Sequence, residues 1–320
     1  TYLWSNGSTS QDLSSLAAGT YSVDATDNNG CTTTETIIIT EPVTLTSSYT
    51  QSDYNGFGVS CNGDTDGSID LSVNGGVDNQ NYTYVWNDAF TSEDRILLGV
   101  GTYSVVASDV NGCSTSETVI ITEANSVTSS FITTDWNSFE IQCNGGNNGE
   151  ITLSVLGGVT ALPYNYNIDG VSNSTNIFSN LTLGTYVVSA TDVNGCSTSE
   201  TVIMSEPSTA VISSYTPSDY NGFGVSCNGD IDGSIDLSVS GGVGVHTYAW
   251  SNGPTSEDLS LIGAGTYSVV ASDSNGCTTT ETVIITEPVA LTSSYTQSDY
   301  NGFGVSCNGD SDGSIDLTVN

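Results

Sequence analysis

The sequence predicts an all-β fold, a tandem array of antiparallel β-sandwiches of about 82 residues each. Three observations carry that prediction. First, short motifs recur at one period. NGC ends at Cys31, Cys113, Cys196 and Cys277, in steps of 82, 83 and 81, and CNG begins at Cys61, Cys143, Cys227 and Cys307, in steps of 82, 84 and 80. Second, apolar and polar residues alternate between the motifs, as they do along half-buried strands. Third, no window keeps helical periodicity through the glycine and β-branched content.

The repeat unit is cut after its recurring TE or SE tail: Glu41-Pro42, Glu123-Ala124, Glu206-Pro207 and Glu287-Pro288. That gives whole repeats at 43–124, 125–207 and 208–288, the second divergent. A C-terminal part of a repeat stands at 1–42 and an N-terminal part at 289–320. Residues 41–73 and 287–319 are nearly the same string.

Within a unit, Ser68–Val73 alternates as a strand and Gly75-Gly76 is expected to break it. Tyr82–Trp86 follows, with Tyr82, Tyr84 and Trp86 on one face. Thr102–Ser108 is the next strand. Asn111-Gly112 turns it, because Asn-Gly supplies the positive φ of a tight hairpin, and Ser116–Thr122 returns. Seven or so short strands with regular turn signals make each sandwich immunoglobulin-like. Trp86 falls where such a core buries an aromatic, and its counterparts are Trp4, Trp250 and, in the middle repeat, Ile168. Tyr103 follows a turn as a tyrosine-corner residue would, with counterparts Tyr21, Tyr186 and Tyr267. Core packing is the expected role of these aromatics.

Composition bounds the function. There are 36 acidic residues against one basic residue, Arg95, and the net charge is −35. Phosphate neutralisation needs clustered Lys and Arg, so nucleic acid is excluded as a partner. An anionic membrane surface is disfavoured. Without lysine there is no phosphate-binding loop of the GxxxxGK type and no Lys–Asn isopeptide bond. Hydrophobic residues at 36%, with 16 Tyr and 4 Trp, set the chain apart from disordered acidic tails. The longest apolar runs, such as Ile37-Ile38-Ile39, are too short to span a bilayer. The chain starts at Thr1 and reads as a window cut from something longer.

The strings CNGDTDGSIDLSVNGG, YTYVW and GVGTYSVVASDVNGC at 61–113, and CNGDIDGSIDLSVSGG, HTYAW and GAGTYSVVASDSNGC at 227–277, resemble the SprB-type repeat of Bacteroidetes surface proteins. The repeat at 125–207 departs from the pattern, with CNGGNNGEIT and Ile168 in place of the strand tryptophan. The resemblance implies a long secreted protein displayed at the cell surface on the outer membrane, in some cases a mobile adhesin of gliding motility. Many such repeats would serve as stalk.

Eight cysteines at a strict period in an extracellular chain point to disulfides, and the absence of CxxC argues against zinc or thioredoxin-like chemistry. Two pairings stay open. One lies within a repeat: Cys61–Cys113, Cys143–Cys196 and Cys227–Cys277, leaving Cys31 and Cys307. However, sandwich topology puts those partners at opposite poles, separated by a strand of about 20 Å, whereas disulfide Cα atoms lie within roughly 7 Å. A head-to-tail stack instead favours Cys61–Cys196 and Cys143–Cys277, bridging successive repeats.

Asp64, Asp66 and Asp70 space carboxylates as the opening of a calcium loop does, and Asp230, Asp232 and Asp236, and Asp310, Asp312 and Asp316, repeat the spacing. Calcium is therefore one expectation. An Asp-Gly turn is the plainer one. No other cofactor is expected. The segment from Tyr49 through Tyr54 to Phe57 recurs as Tyr215, Tyr220 and Phe223 and as Tyr295, Tyr300 and Phe303. A looser copy carries Phe131, Trp136 and Phe139. These aromatics either stack on polysaccharide or seal the joint between neighbouring repeats, and the joint is the preferred reading because tandem domains must bury each contact. The single histidine, His246, aligns with Tyr82 and Tyr164 and reads as a substituted strand position. A repeated scaffold assembles no catalytic constellation, so no enzyme is expected.

Overall fold

The computed structural model describes residues 1–77, 81–159 and 163–320. The chain opens with β1 (Tyr2–Trp4), β2 (Gly19–Thr26) and β3 (Thr32–Ile39), one antiparallel sheet in the order β1-β2-β3. Six strands follow: β4 (Val43–Gln51), β5 (Gly67–Gly76), β6 (Thr83–Trp86), β7 (Arg95–Leu98), β8 (Gly101–Ser108) and β9 (Ser114–Ile121). They form two sheets, β4-β5-β7 and β6-β8-β9. The first, second and fourth strands thus face the third, fifth and sixth, which is the A-B-E against C-F-G arrangement of an immunoglobulin-type sandwich.

The next set is β10 (Thr128–Thr133), β11 (Gly149–Leu156), β12 (Asn165–Ile168), β13 (Val171–Asn173), β14 (Ile177–Leu181), β15 (Gly184–Thr191) and β16 (Ser197–Met204). Its sheets are β10-β11-β14 and β13-β12-β15-β16. Then come β17 (Ile212–Pro217), β18 (Gly233–Ser240), β19 (Thr247–Trp250), β20 (Leu259–Ile262), β21 (Gly265–Ser272) and β22 (Thr278–Ile285), in sheets β17-β18-β20 and β19-β21-β22. The hairpin β23 (Ser293–Gln297) and β24 (Ile315–Val319) is last. Among the described residues there is no helix. By backbone proximity the chain divides into two units. One comprises Thr1–Thr128, Val155–Asn165 and Thr191–Thr198, and the other Ser129–Ser154, Tyr166–Ala190 and Ser199–Asn320.

Two details differ from the expectation. The sandwiches at 43–121 and 212–285 have six strands rather than seven, and a seventh, β13, occurs where Ile168 replaces tryptophan. Nor does Gly75-Gly76 end its strand. β5 runs through both glycines to pair Gly76 with Val43. Gly75 has φ +89°, and a Cβ there would stand 2.1 Å from the Thr44 carbonyl oxygen, so only glycine lets the two backbones approach.

Alternation along β5 puts Ile69, Leu71 and Val73 inside, and they meet Trp86, Val105, Ala107, Val119 and Ile121 from the facing sheet. Trp86 is 1% exposed and its indole N–H donates to the Ser92 carbonyl at 2.9 Å, so the ring is buried with no polar atom stranded. Trp250 repeats this with Ser256, and Trp4 with Ser10. Tyrosine corners close all four GTY turns: Tyr21, Tyr103, Tyr186 and Tyr267 donate to the carbonyls of Ala17, Gly99, Thr182 and Gly263. The two sheets are also tied along one edge. Ser47 on β4 donates to Glu117 on β9 at 2.8 Å, and Ser129–Glu200 and Ser213–Glu281 repeat the pair.

His246 does the work of a tyrosine. Tyr82 and Tyr164 donate their hydroxyls to the carbonyls of Gly75 and Gly157, and His246 Nε2 meets that of Gly241 at 2.9 Å. The one cation is equally local. Arg95 is buried between Trp86, Phe90 and Tyr103 and forks onto Asp88 at 2.7 and 3.0 Å, holding that carboxyl below its ordinary range. Leu259 occupies the equivalent place at the start of β20, so the fold does not require the charge.

Truncating Trp250 to alanine should cost its sandwich about 3–5 kcal/mol through the cavity left behind. Tyr267→Phe should cost about 1 kcal/mol, the value of one hydrogen bond. Urea unfolding of both variants against the parent measures the two losses.

Candidate functional site

The recurring motifs converge at one place, the joint between successive sandwiches. Its first half is a hairpin tip read in the sequence only as an Asn-Gly turn. The full motif is D-x-N-G-C, at Asp27, Asp109, Asp192 and Asp273. In each copy the aspartate closes the tip from inside. Oδ1 of Asp192 accepts the backbone N–H of Asn194 and of Cys196, both at 2.9 Å, and Oδ2 accepts that of Val159 at 2.9 Å. Asp273 does the same for Asn275, Cys277 and Val243, and Asp109 for Asn111, Cys113 and Val77. The hairpin is therefore rigid before it touches anything, and the Asn and Cys side chains project from it.

The second half is the loop carrying CNG. Asn194 Nδ2 donates to the carbonyls of Tyr54 and Ser60 at 3.0 and 3.1 Å, while its Oδ1 accepts Asn55 Nδ2 at 2.6 Å. Beside it Cys61 and Cys196 form a disulfide with Cα atoms 5.5 Å apart. The next joint repeats these contacts. Asn275 Nδ2 donates to Trp136 and Gln142, its Oδ1 accepts Asn137 Nδ2, and Cys143–Cys277 closes at a Cα separation of 5.7 Å. Gln142 adds a donor to the Asn275 carbonyl at 2.7 Å. The bonds formed are thus the inter-repeat pair. Cys31, Cys113, Cys227 and Cys307 are free and exposed.

The TE and SE tails belong to the same joint. Gly63 N–H donates to Glu123 Oε2 at 2.7 Å and Asn62 Nδ2 to the Ala124 carbonyl at 3.0 Å. Gly145 with Glu206, Asn144 with Pro207, Gly229 with Glu287 and Asn228 with Pro288 reproduce both contacts. The CNG loop holds the segment by which the chain leaves the sandwich, so the exit direction is fixed next to the disulfide.

The acidic loop braces this loop from behind. Ser60 donates its N–H to Asp66 at 3.0 Å and its hydroxyl to Asp64 at 2.7 Å. Ser226 and Ser306 treat Asp232 and Asp230, and Asp312 and Asp310, in the same way. In the middle repeat the amide oxygen of Asn148 accepts the Gln142 N–H, so a neutral acceptor serves where a carboxylate is missing. Asp70 stands apart, exposed on the outward face of β5 between the inward-facing Ile69 and Leu71. Asp236 does likewise on β18, and Asp316 lies on β24, itself exposed. Among the described residues no three His, Cys, Asp or Glu side chains are grouped to hold a metal ion.

The aromatic loop is drawn into the joint by its backbone. Tyr54 and Phe57 pair across a two-residue turn, and the Tyr54 carbonyl receives Asn194. Their rings are half-buried. Tyr220 and Phe223, whose CNG loop meets no hairpin, are 40% and 38% exposed, and Phe303 is 72% exposed. Tyr49 and Tyr215, each 40% exposed, lie outside these contacts. Tyr295 on β23 and Tyr300 beside Phe303 are exposed as well. Trp136 contributes its carbonyl to Asn275, while its indole nitrogen is buried without a partner.

This is an immunoglobulin-like repeat protein whose sandwiches are joined covalently. Three segments of the chain match the SprB repeat model, residues 59–91, 139–173 and 225–255, as a chain carrying SprB-type repeats does. Each match starts just before the CNG loop and covers the joint loop with the next two strands, or three, β11 to β13, in the divergent middle copy. The GTY…NGC half of each unit lies outside the matches. No curated protein matches the sequence. Among solved structures, the N-terminal eight Ig domains of Down syndrome cell adhesion molecule align over 89% of this chain and 56% of that one, at 9% identity and a TM-score of 0.24. The chain thus spans about half the length of that structure. SGBP-B of the Bacteroides ovatus mixed-linkage glucan utilization locus, solved in complex with a mixed-linkage heptasaccharide, aligns over 73% of this chain and 67% of that one, at 14% identity and a TM-score of 0.17.

Two outcomes are expected. Asn194→Ala strands the Tyr54 and Ser60 carbonyls and should weaken the first joint by about 1–3 kcal/mol, whereas Asn111→Ala, at an exposed tip, should cost almost nothing. Hydrogen exchange of the 191–198 hairpin reads the difference. The second outcome concerns acid. The Val77 amide, followed by those of Cys113 and Asn111, holds Asp109 below its ordinary 3.8. The Ser226 and Ser306 contacts do the same for Asp232 and Asp312, and those of Ser60 outweigh desolvation to lower Asp66. A depressed carboxyl stabilises the fold above its unfolded pKa and loses that contribution as pH falls through the folded value. The melting temperature should therefore hold from about pH 8 to 5 and drop below about pH 4.

Proposed function

We propose that the chain is a stalk segment of a large secreted cell-surface adhesin of outer-membrane type, serving surface attachment or gliding. It is a passive connector that positions an adhesive element lying elsewhere in the protein. The observation that carries this reading is the duplicated joint. The sandwich at 43–124 is fastened to that at 125–207, and that one to the sandwich at 208–288, each time by a disulfide and an asparagine amide beside a clamped exit segment. Covalent coupling of successive repeats suits the transmission of force and contributes nothing to ligand choice. The SprB match and the oxidised cysteines support an extracellular, cell-surface setting. The net charge of −35 keeps neighbouring segments soluble and apart.

Pulling the chain by its ends in a single-molecule instrument tests the proposal. Oxidised chains should give short unfolding steps, because residues between bridged cysteines are shielded from tension. Reduction should lengthen the accessible contour by on the order of 500 Å, at ~3.4 Å per released residue. Identical traces before and after reduction would remove the stalk reading. The exposure of Tyr49, Tyr215 and Tyr220 favours a second reading, polysaccharide held on the repeats. Glycan-array binding that disappears on Tyr220→Ala, with the fold intact, would put it in first place.

A further inference from the structure

The two bridges overlap in sequence. Cys61–Cys196 and Cys143–Cys277 share the stretch from Cys143 to Cys196, which lies inside both. Overlap changes which residues a pull can reach. The shortest covalent route from Cys61 to Cys277 crosses the first disulfide to Cys196, runs backwards along the main chain to Cys143, and crosses the second disulfide. The forward alternatives, Cys61 to Cys143 and Cys196 to Cys277, follow 82 and 81 residues of main chain and are longer. Residues inside one bridge are therefore bypassed, and residues inside both are not.

We infer that the main chain between the two bridged cysteines of one repeat bears the load, and that the segments connecting successive sandwiches are slack. The inference rests on the stalk reading and deepens it by naming the residues under tension. On the route lie β11 to β15, the B-to-F strands of the middle sandwich. Off it lies the connection on each side. Before Cys143 these are β9, the exit segment Glu123-Ala124, β10 and the Trp136 loop. After Cys196 they are β16, the exit segment Glu206-Pro207, β17 and the Tyr220 loop.

The loaded strands are placed to resist. Two residues separate β14 from β15, and β14 is antiparallel to β11, so β11 and β15 run in the same direction, one in each sheet. The route reaches β11 at its start, from Cys143, and β15 at its end, from Cys196. Tension is therefore applied lengthwise and from opposite ends, so the two sheets must slide past one another over the core. Ile151 and Leu153 on β11, and Val188 and Ala190 on β15, are fully buried in that core. Their many small contacts give way together, whereas a strand pulled sideways loses its hydrogen bonds one at a time. The bypassed strands β10 and β16 stay paired to β11 and β15 and brace them.

Single-molecule extension of the whole chain, with length inserted at chosen places, tests the route. One chain carries a Gly-Ser stretch of about twenty residues in an exit segment, between Ser208 and Thr209 or, as a second version, between Asn125 and Ser126, all four exposed. Another carries the same stretch on the route, between the exposed Ser174 and Thr175 that follow β13. Insertions in exposed loops are well tolerated. A count of four free thiols confirms both bridges in each chain. In the oxidised state the exit insertion should add nothing to the fully extended length, and the route insertion should add ~70 Å at ~3.4 Å per residue. After reduction both should add ~70 Å. An exit insertion that lengthens the oxidised chain, or a route insertion that does not, would overturn the inference and leave the stalk reading standing. A parent chain that reduction fails to lengthen would bring down the stalk reading and the inference with it.

Discussion

The structure depends on a hairpin made stiff from within. One aspartate accepts the two N–H groups of its own tip and a third from the loop beside it, so the backbone that carries the projecting asparagine and cysteine is set before docking. Preorganisation of this kind is what lets a small contact hold. The receiving loop is prepared in the same way: Ser60 is held by two carboxylates at the first joint and Gln142 by the Asn148 amide at the second, and at both the loop glycine is held by the exit glutamate. The two surfaces then meet through a disulfide and a pair of asparagine amides at both joints, with Gln142 added at the second.

The consequence lies in the pattern of crosslinks. The bridges span 135 and 134 residues, and they overlap so that the middle sandwich is entered at Cys143 and left at Cys196. In the chain-entropy account, loops of that size are worth about 4–5 kcal/mol each, because they restrict the unfolded chain. Nearest-neighbour coupling of this strength turns a series of marginal modules into a cooperative array. Little of the surface charge is paired, because 36 acidic residues face a single arginine. Neighbours are fixed by covalent and amide contacts rather than by ion pairs, and the surplus of carboxylates is free to keep separate chains apart.

The sequence revealed much of this, and the limits have physical causes. Period-two alternation located β5, β6, β8 and β9 within a few residues, because each has one buried face. β4 and β7 went unnoticed: β4 is largely exposed, and β7 is only four residues long. The break expected at Gly75-Gly76 failed because those glycines serve a close backbone approach inside a strand. Pole geometry favoured one cysteine pairing but left the other open. The decisive residues, Asn194 and Asn275, were in plain view as half of an Asn-Gly turn signal. A turn rule explains why asparagine tolerates that backbone and says nothing about where its amide points. Likewise, the Asp64–Asp66 spacing suggests a cation, whereas in the folded loop each carboxylate binds the same serine, which stands before Asp64 in the sequence.

The central claim is that successive repeats are bonded tip to loop, and a disulfide map of the purified chain tests it most directly. Cleavage at acidic residues under conditions that block thiol exchange, followed by mass spectrometry, should yield the Cys61–Cys196 and Cys143–Cys277 peptides. Recovery of Cys61–Cys113 and Cys143–Cys196 instead, or of these cysteines as free thiols, would contradict the account.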